Sequence, residues 1–515
     1  MGCSARITGI QVSARGLCGI VAKATNSNIE GVTPPKILLF LRVRMQIAII
    51  GSGHVGLVAA ACFAEIGHQV ICVDNDAQRV RQLCRGAIPF HEQLLPELLV
   101  RYCNHGLTFT TSIAEAVKQS AVVFIAVGTP AAENGETDMS FVESVAREIA
   151  GAMDEYKVIV EKSTVPVYTN EWVRHVMSLN GAVHVDFDVA SNPEFLREGT
   201  AVTDFLFPDR IVIGADSPRS ADLLQEVYRP LLDGSYQTRA DAIPCPDDAR
   251  VPPRLIVTST KSAELIKHAS NAFLATKISF INAVANICEA VGANVEQVKE
   301  GIGADRRIGS RFLDPGVGYG GSCFPKDLKS FRHVARDFGY DFQLLEEVIN
   351  INNEQRQRFL RKVRKALWTL PGKRVAVLGL AFKGGTDDIR ESPAIEIVKE
   401  LIEGGCEVSA YDPAAMENAC QVFAGKPVRF EDSAYQAMSG ADALLVLTDW
   451  EEFASLDLDR IASELKYRIV IDGRNVFDPE AMRSRNFIYY SVGRPDVVPE
   501  GLLFTNRKQA RLLAS

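Results

Sequence analysis

The stretch Ile47-Ala48-Ile49-Ile50-Gly51-Ser52-Gly53-His54-Val55-Gly56 decides the fold of this chain. Its first four residues are apolar and mostly β-branched, which reads as a buried strand, and the Ala-rich run at 57–66 reads as a helix. Between them the glycines stand in the G-x-G-x-x-G spacing of a dinucleotide-binding turn, completed by Ser52, His54 and Val55. Gly51 makes the tight turn, Gly53 lets a pyrophosphate approach the backbone, and Gly56 lets helix and strand pack closely. The helix N-terminus then faces the phosphates. Asp74 ends the next apolar run, 23 residues past Gly51. A carboxylate there accepts from the ribose hydroxyls and repels a 2′-phosphate, which favours NAD over NADP. Arg79 is the counterweight: it either accepts that phosphate or pairs with Asp74.

Outward from this turn, strand-like runs at 70–73, 122–126, 158–161, 187–190 and 211–213 alternate with helical stretches. That alternation predicts an α/β fold with a doubly wound parallel sheet. Residues 237–253 hold Pro244, Pro246, Pro252 and Pro253 and read as an irregular loop. The pattern then changes. Residues 262–291 contain neither Pro nor Gly, with apolar side chains at helical spacing, and predict one long helix bridging domains and pairing with a second copy. After another helical stretch at 353–367, the strand–helix pattern restarts, with strands at 374–380, 408–411, 443–447 and 469–471. Its first turn, Leu378-Gly379-Leu380-Ala381-Phe382-Lys383, keeps a single glycine, so this second Rossmann-like half offers no glycine-lined approach for a dinucleotide. The expected division is an extension at 1–44, a dinucleotide domain at 45–257, a helical domain at 258–355, a second Rossmann-like domain at 356–495 and a tail at 496–515. Two readings of 1–44 stand: sequence upstream of a start at Met45, or a flexible extension.

Composition excludes several classes. Hydrophobic residues make up 47% and the net charge is −8, so the chain has no basic field for nucleic acid. No apolar run in the sequence approaches the roughly 20 residues of a membrane span. The 11 cysteines show neither C-x-x-C pairs nor zinc-site spacing, which points to reduced thiols in the cytosol and no metal centre. One of them stands apart. In Gly318-Tyr319-Gly320-Gly321-Ser322-Cys323-Phe324-Pro325-Lys326-Asp327 the glycines let backbone close over a ligand, and Lys326 is read as a cation beside the Cys323 thiol, features suited to a nucleophile. A glycine turn beside an inert buried cysteine fits the same local string.

This string resembles the UDP-glucose/GDP-mannose dehydrogenase family, and the resemblance runs from Met45 to about Arg494. It is carried by Val127-Gly128-Thr129-Pro130, Lys162-Ser163-Thr164-Val165-Pro166, Ser191-Asn192-Pro193-Glu194-Phe195-Leu196-Arg197-Glu198-Gly199 and Pro208-Asp209-Arg210. Further along come Lys267, Asn271, Asp305-Arg306-Arg307-Ile308-Gly309, Phe382-Lys383, Asp387-Asp388-Ile389-Arg390-Glu391-Ser392-Pro393 and Asp472-Gly473-Arg474. The resemblance implies two NAD-linked oxidations at one carbon of a sugar nucleotide, with Cys323 holding the aldehyde as a thiohemiacetal and then a thioester. It implies Lys267 and Asn271 as oxyanion partners, Asp327 as the water-linked base, and Thr164 and Glu194 as residues that position water.

For the cofactor it adds Gly128, Thr129, Pro130, Thr164, Glu198, Lys326 and Arg390 to the glycine turn, Asp74 and Arg79. For the sugar nucleotide it implies Glu194, Phe195, Leu196, Arg197, Lys267, Asn271, Phe312, Leu313, Tyr319, Gly320, Cys323, Phe382, Lys383 and Arg474, with Arg307 reaching across a homodimer. Ser322 through Asp327 favours the branch that converts UDP-glucose to UDP-glucuronate over those acting on GDP-mannose or UDP-N-acetylhexosamine. Outside the class, a two-electron hydroxyacid dehydrogenase and a nucleotide sensor are the competing readings. The chain departs from the family pattern at His54, where an aromatic residue is usual, at Ala283, and at Gly384-Gly385 in place of Pro-Asn.

Overall fold

The apolar run at 47–50 lies inside an eight-stranded sheet, third from one edge, and its alternate side chains feed two cores. Ile47 and Ile49 pack with Leu57, Val58 and Phe63 on one face, whereas Ala48 and Ile50 pack with Val123, Val142 and Ile149 on the other. A parallel strand covered on both faces buries every side chain, and each large one contributes about 1.5–3 kcal/mol. The computed structural model describes residues 44–130, 135–181 and 185–499, and the sequence readings for 1–43 and 500–515 fall outside them. From Arg44 onward the chain forms one unit.

The first sheet comprises β1 (Gln46–Ile50), β2 (Gln69–Val73), β3 (Leu107–Thr110), β4 (Val122–Ile125), β5 (Lys157–Glu161), β6 (Phe187–Ser191), β7 (Arg210–Ala215) and β8 (Arg254–Thr258). Their order is β3-β2-β1-β4-β5-β6-β7-β8. The strand order reverses between β1 and β4, so a crevice opens beyond their carboxyl ends, the usual ligand position in such sheets. One expectation needs correcting: the sheet is not wholly parallel. β7 runs antiparallel to β6, paired only through Ala190↔Ala215 and Ser191↔Gly214. The segment between them carries just the six-residue helix Ala201–Leu206, too short for a crossover to the opposite edge. Residues 192–209 therefore stay at the carboxyl edge, and β7 with β8 overhangs it.

The long helix springs from that overhang. Ser259 caps it by accepting from the Ser262 amide, Gly292 closes it at φ +78°, and between them Thr260–Val291 runs 32 residues, about 48 Å. By length and composition it could cross a membrane. Its buried Glu264, Lys267, His268 and Asn271 instead make it the central helix of a folded core. Two further helices, Val295–Gly303 and Phe324–Asp337, precede the one predicted at 353–367, which spans Gln343–Leu367 and starts ten residues earlier than the sequence pattern suggested.

The second sheet comprises β9 (Arg374–Leu378), β10 (Glu407–Tyr411), β11 (Val428–Phe430), β12 (Ala443–Val446), β13 (Ile469–Asp472) and β14 (Ile488–Tyr490), all parallel. Its order, β11-β10-β9-β12-β13-β14, repeats that of the first six strands of the other sheet. The sequence reading missed β3, β8, β11 and β14. All four are the outermost strands of their sheets, and all are short or partly exposed, so they lack the continuous apolar run that marks the others.

The loop at 237–253 is irregular as expected, but it is anchored. Tyr236 donates its hydroxyl to Glu65 Oε1 at 3.0 Å and accepts from the Ile243 amide at 2.9 Å. Arg101 Nη1 lies 3.0 Å from Glu65 Oε2, and Arg239 also pairs with this buried carboxylate. The loop thus braces the far end of the helix that follows the glycine turn.

Candidate active site

Gly51 takes φ +107°, and a Cβ there would sit 2.5 Å from the Ala126 carbonyl oxygen, so only glycine fits. Around Gly53 there is open space: an added Cβ would meet nothing within 4 Å. The helix His54–Glu65 starts with Gly53 as its N-cap and carries no side-chain cap, leaving its first amides available to an anion. These features fit a dinucleotide pyrophosphate. Asp74 accepts from the Ser52 amide at 3.1 Å, and Arg79 Nη1 stands 3.8 Å from its carboxylate, the pairing alternative raised by the sequence.

The second half answers its missing glycines differently. Asp412, at the end of β10 as Asp74 is at the end of β2, accepts from the Leu380 and Ala381 amides at 2.7 and 3.1 Å. Its other oxygen takes the Ala414 and Ala415 amides. Two successive turn amides are thus taken by a side chain of the protein itself, where in the first half Asp74 takes that of Ser52 alone.

The chemistry-bearing residues converge from three directions. Lys267 and Asn271 lie one turn apart on the long helix. Lys267 Nζ donates to Glu194 Oε1 at 2.7 Å, and Asn271 Nδ2 donates to Asp327 Oδ2 at 2.6 Å. Burial opposes charge on both Lys267 and Glu194, yet their attraction outweighs it: Lys267 is raised and Glu194 is held below the usual carboxylate value. The Leu196 amide adds a 2.6 Å bond to Glu194 Oε2.

Cys323 caps the helix Phe324–Asp337 and is half-buried. Burial, followed by Glu194, pushes its thiol up to about 11, while Lys267 pulls down. Lys267 is thus the leading cation acting on this thiol, with Arg390 also in its field, and the reading of Lys326 as its partner is corrected. Lys326 Nζ instead reaches Asp327 Oδ1 at 3.1 Å and Thr129 Oγ1 at 3.3 Å, because its helix turns it toward the loop after β4. Thr129 in turn donates to the Thr164 carbonyl at 2.8 Å, between exposed Gly128 and Pro130.

The second Rossmann-like half closes on the glycine string. A Cβ on Gly320 would lie 2.3 Å from the Glu391 carbonyl oxygen, and one on Gly321 would lie 2.8 Å from the Phe382 ring. Arg474 donates to the Phe382 and Leu447 carbonyls at 2.8 and 3.0 Å, and Lys383 is half-buried beside them. Arg390 binds Asp388 at 2.8 Å and lies 3.6 Å from Glu198 Oε1. Phe195 lies beneath Arg210, whose guanidinium is 3.9 Å from the ring centre, with Lys267 Nζ at 5.7 Å. Tyr319 and Phe312 flank Phe324, at ring distances of 5.9 and 6.4 Å.

Three nominated residues stand apart. Leu313 is 1% exposed in an apolar cluster with Ile281, Cys288 and Val492, so only its backbone is left to meet a ligand. Arg197 is exposed and bonded to Asp204, and Arg307 points to solvent beside Asp305. Other residues the sequence did not nominate join the site. Glu92 binds His54 at 2.8 Å and the Gly199 and Ala201 amides at 2.7 and 2.8 Å, linking the glycine turn to the 191–199 segment. Lys162 is buried against Asn192 Oδ1 at 2.9 Å and is lowered by burial to about 8. Ser322 bridges Cys323 and Glu198. A lone glutamate before an apolar helix carries no sequence signal, whereas Lys162 and Ser322 lay inside strings already singled out.

A glycine-turn domain that fits a dinucleotide, a matching half that does not, and a thiol beside a buried ammonium define a dehydrogenase acting on a nucleotide-bearing substrate. The chain belongs to the UDP-glucose/GDP-mannose dehydrogenase family: residues 45–232 match its NAD binding domain, 261–354 its central domain and 376–479 its UDP binding domain. It is 43% identical over 453 residues to a UDP-glucose 6-dehydrogenase of Bacillus subtilis, covering 88% of this chain and 94% of that one. To a UDP-glucose 6-dehydrogenase of Rhizobium meliloti it is 44% identical over 457 residues, covering 88% and 100%. Its fold is similar to that of a UDP-glucose dehydrogenase from Pyrobaculum islandicum, with a TM-score of 0.78, 35% identity, and coverage of 90% of this chain and 100% of that one.

Proposed function

We propose that this chain oxidises the C6 alcohol of UDP-glucose to the carboxylate of UDP-glucuronate in two NAD-linked steps. The observation that carries this reading is the half-buried Cys323 thiol in the electrostatic field of the buried Lys267 ammonium, since a dehydrogenase that stops at a carbonyl has no need of a nucleophile there. The names of the relatives, together with the UDP binding domain match, favour UDP-glucose among sugar nucleotides.

NAD bound at the glycine turn supplies the two-electron acceptor for both oxidations. Gly51, Gly53, Gly56, Asp74, Thr129, Glu198 and Arg390 are the residues to hold it. Lys267 and Asn271 stabilise the oxygen of the alcohol and later the oxyanion of the thiohemiacetal, because both project from one helix face. Asp327, bonded to Asn271 and Lys326, is placed to accept a proton from water as the thioester hydrolyses, with Thr164 and Glu194 orienting that water. Lys383 and Arg474 provide cations for the diphosphate, and Phe195 and Tyr319 provide flat apolar surface.

A homodimer through the long helix belongs to this reading. Phe273, Phe280 and Ile287 recur every seven residues, each more than half exposed, and Val291 extends the stripe. Exposed Arg307 is then available to a partner's site. The cytosol suits the nine free cysteines among the described residues.

Counting NADH per UDP-glucose consumed tests the proposal. Two supports it, whereas one points to a two-electron dehydrogenase and none to a nucleotide sensor. Faster turnover of GDP-mannose or a UDP-N-acetylhexosamine would overturn the choice of substrate.

A further inference from the structure

Ser322, next to Cys323, has no role in the scheme above. Its hydroxyl oxygen lies 2.9 Å from Glu198 Oε1 and 3.5 Å from Cys323 Sγ. A serine hydroxyl carries one proton. Since the Glu198 carboxylate oxygen accepts it, the Ser322 oxygen has only lone pairs left to offer the thiol. The chain of hydrogen bonds is thus polarised one way, from Sγ through Oγ to Oε1.

The other carboxylates near the thiol have their own partners, and Asp327 is the base assigned above to water in the later hydrolysis. Glu194 accepts from Lys267 on one oxygen and from the Leu196 amide on the other. Asp327 is held by Asn271 and Lys326. Burial, Glu194 and Asp327 all keep the proton on sulfur, while Lys267 and the Ser322 hydrogen bond oppose them. A thiol so placed needs a base while it attacks.

We propose that Ser322 and Glu198 form a proton relay that deprotonates Cys323 as it adds to the aldehyde, an inference resting on the oxidation proposed above. In this step the S–H bond breaks and its proton passes to Ser322 Oγ, while the Ser322 proton passes to Glu198 Oε1. The electron pair left on sulfur forms the bond to the aldehyde carbon. The carbonyl π pair moves onto oxygen, where Lys267 and Asn271 receive the oxyanion. Nothing is oxidised or reduced in the addition.

The surroundings of Glu198 suit an acceptor. Burial and then Asp388 raise its proton affinity, and His54 and Arg390 moderate it. Lys383 also faces it from the second half, and Arg390 acts on Cys323 as well. Asp388, which raises that affinity, comes from the second half, as do Arg390 and Lys383, which oppose it, so the strength of the acceptor depends on the two halves being in contact. Ser322 touches the reacting sulfur directly, whereas Glu198 acts through it and is a positioning residue.

The test is the pH profile of Cys323 alkylation by iodoacetamide in the full-length chain without cofactor or substrate, read by mass spectrometry of the peptide containing Cys323. In the wild type, alkylation should rise with a midpoint well below that of the thiol alone. In Ser322→Ala and Glu198→Gln the midpoint should move upward, with alkylation near neutral pH slowed about tenfold or more. Ser322→Thr, which keeps the hydroxyl, should retain the wild-type midpoint. An identical midpoint in the wild type and both disruptive variants, each checked as folded by circular dichroism, overturns the relay. Since no substrate is present, that failure is distinct from a failure of the NADH count.

Discussion

Lys267 Nζ and Glu194 Oε1 lie 2.7 Å apart, with both side chains only 5% exposed. Such a pair is held by mutual attraction against desolvation, so removing one partner strands the other. Glu194→Gln should lower unfolding free energy by about 3–5 kcal/mol. In the double variant Glu194→Gln/Lys267→Met most of that loss should return, although activity does not. Urea unfolding of the two variants checks this, and equal destabilisation in both would contradict it.

Cys323→Ser should retain UDP-glucose binding by calorimetry while turnover falls by several orders of magnitude, as expected when a covalent nucleophile is lost. Undiminished NADH production in that variant would remove the covalent mechanism.

Glu161 is fully buried, and burial raises it from 4.5 to about 8, with the Ser163 bonds opposing. A folded-state value above the unfolded one means that the native protein keeps a proton the unfolded chain has released. Its stabilising contribution is therefore complete below pH 4.5 and is lost as pH rises through about 8. Glu161→Gln should flatten the fall in unfolding free energy between pH 5 and 8, an effect of a few kcal/mol. Denaturation curves at the two pH values are the measurement, and an unchanged slope would exclude Glu161 as its source.

Phe280 sits mid-stripe on the long helix, more than half exposed. Phe280→Glu places a charge within the proposed seam and should shift sedimentation from dimer to monomer. If the variant remains dimeric, the pairing surface lies elsewhere.

Much of the fold was legible because its central strands are buried on both faces. Runs such as 47–50 and 122–126 admit no polar interruption, so they stand out at the length of a strand. The edge strands β3, β8, β11 and β14 did not, since a short or half-exposed strand needs no such run. The antiparallel turn into β7 was also hidden: strand direction depends on the span of the connection, and the short helix at 201–206 becomes apparent only once folded. Of the candidate site, the strings around Cys323, Glu194 and Lys267 could be read because their chemistry is written in adjacent residues. Glu92 could not, as its three partners come from positions 54, 199 and 201.

The sequence alone determined the glycine turn, the thiol string and the repetition of a strand–helix pattern, because each depends on residues that are near neighbours. Only the tertiary structure decided which cation serves the thiol. Lys326 is three residues from Cys323, yet its helix carries it toward Thr129, while Lys267, 56 positions away in the chain, acts on the sulfur. Electrostatic attraction falls with distance through space, and distance along the chain does not report it.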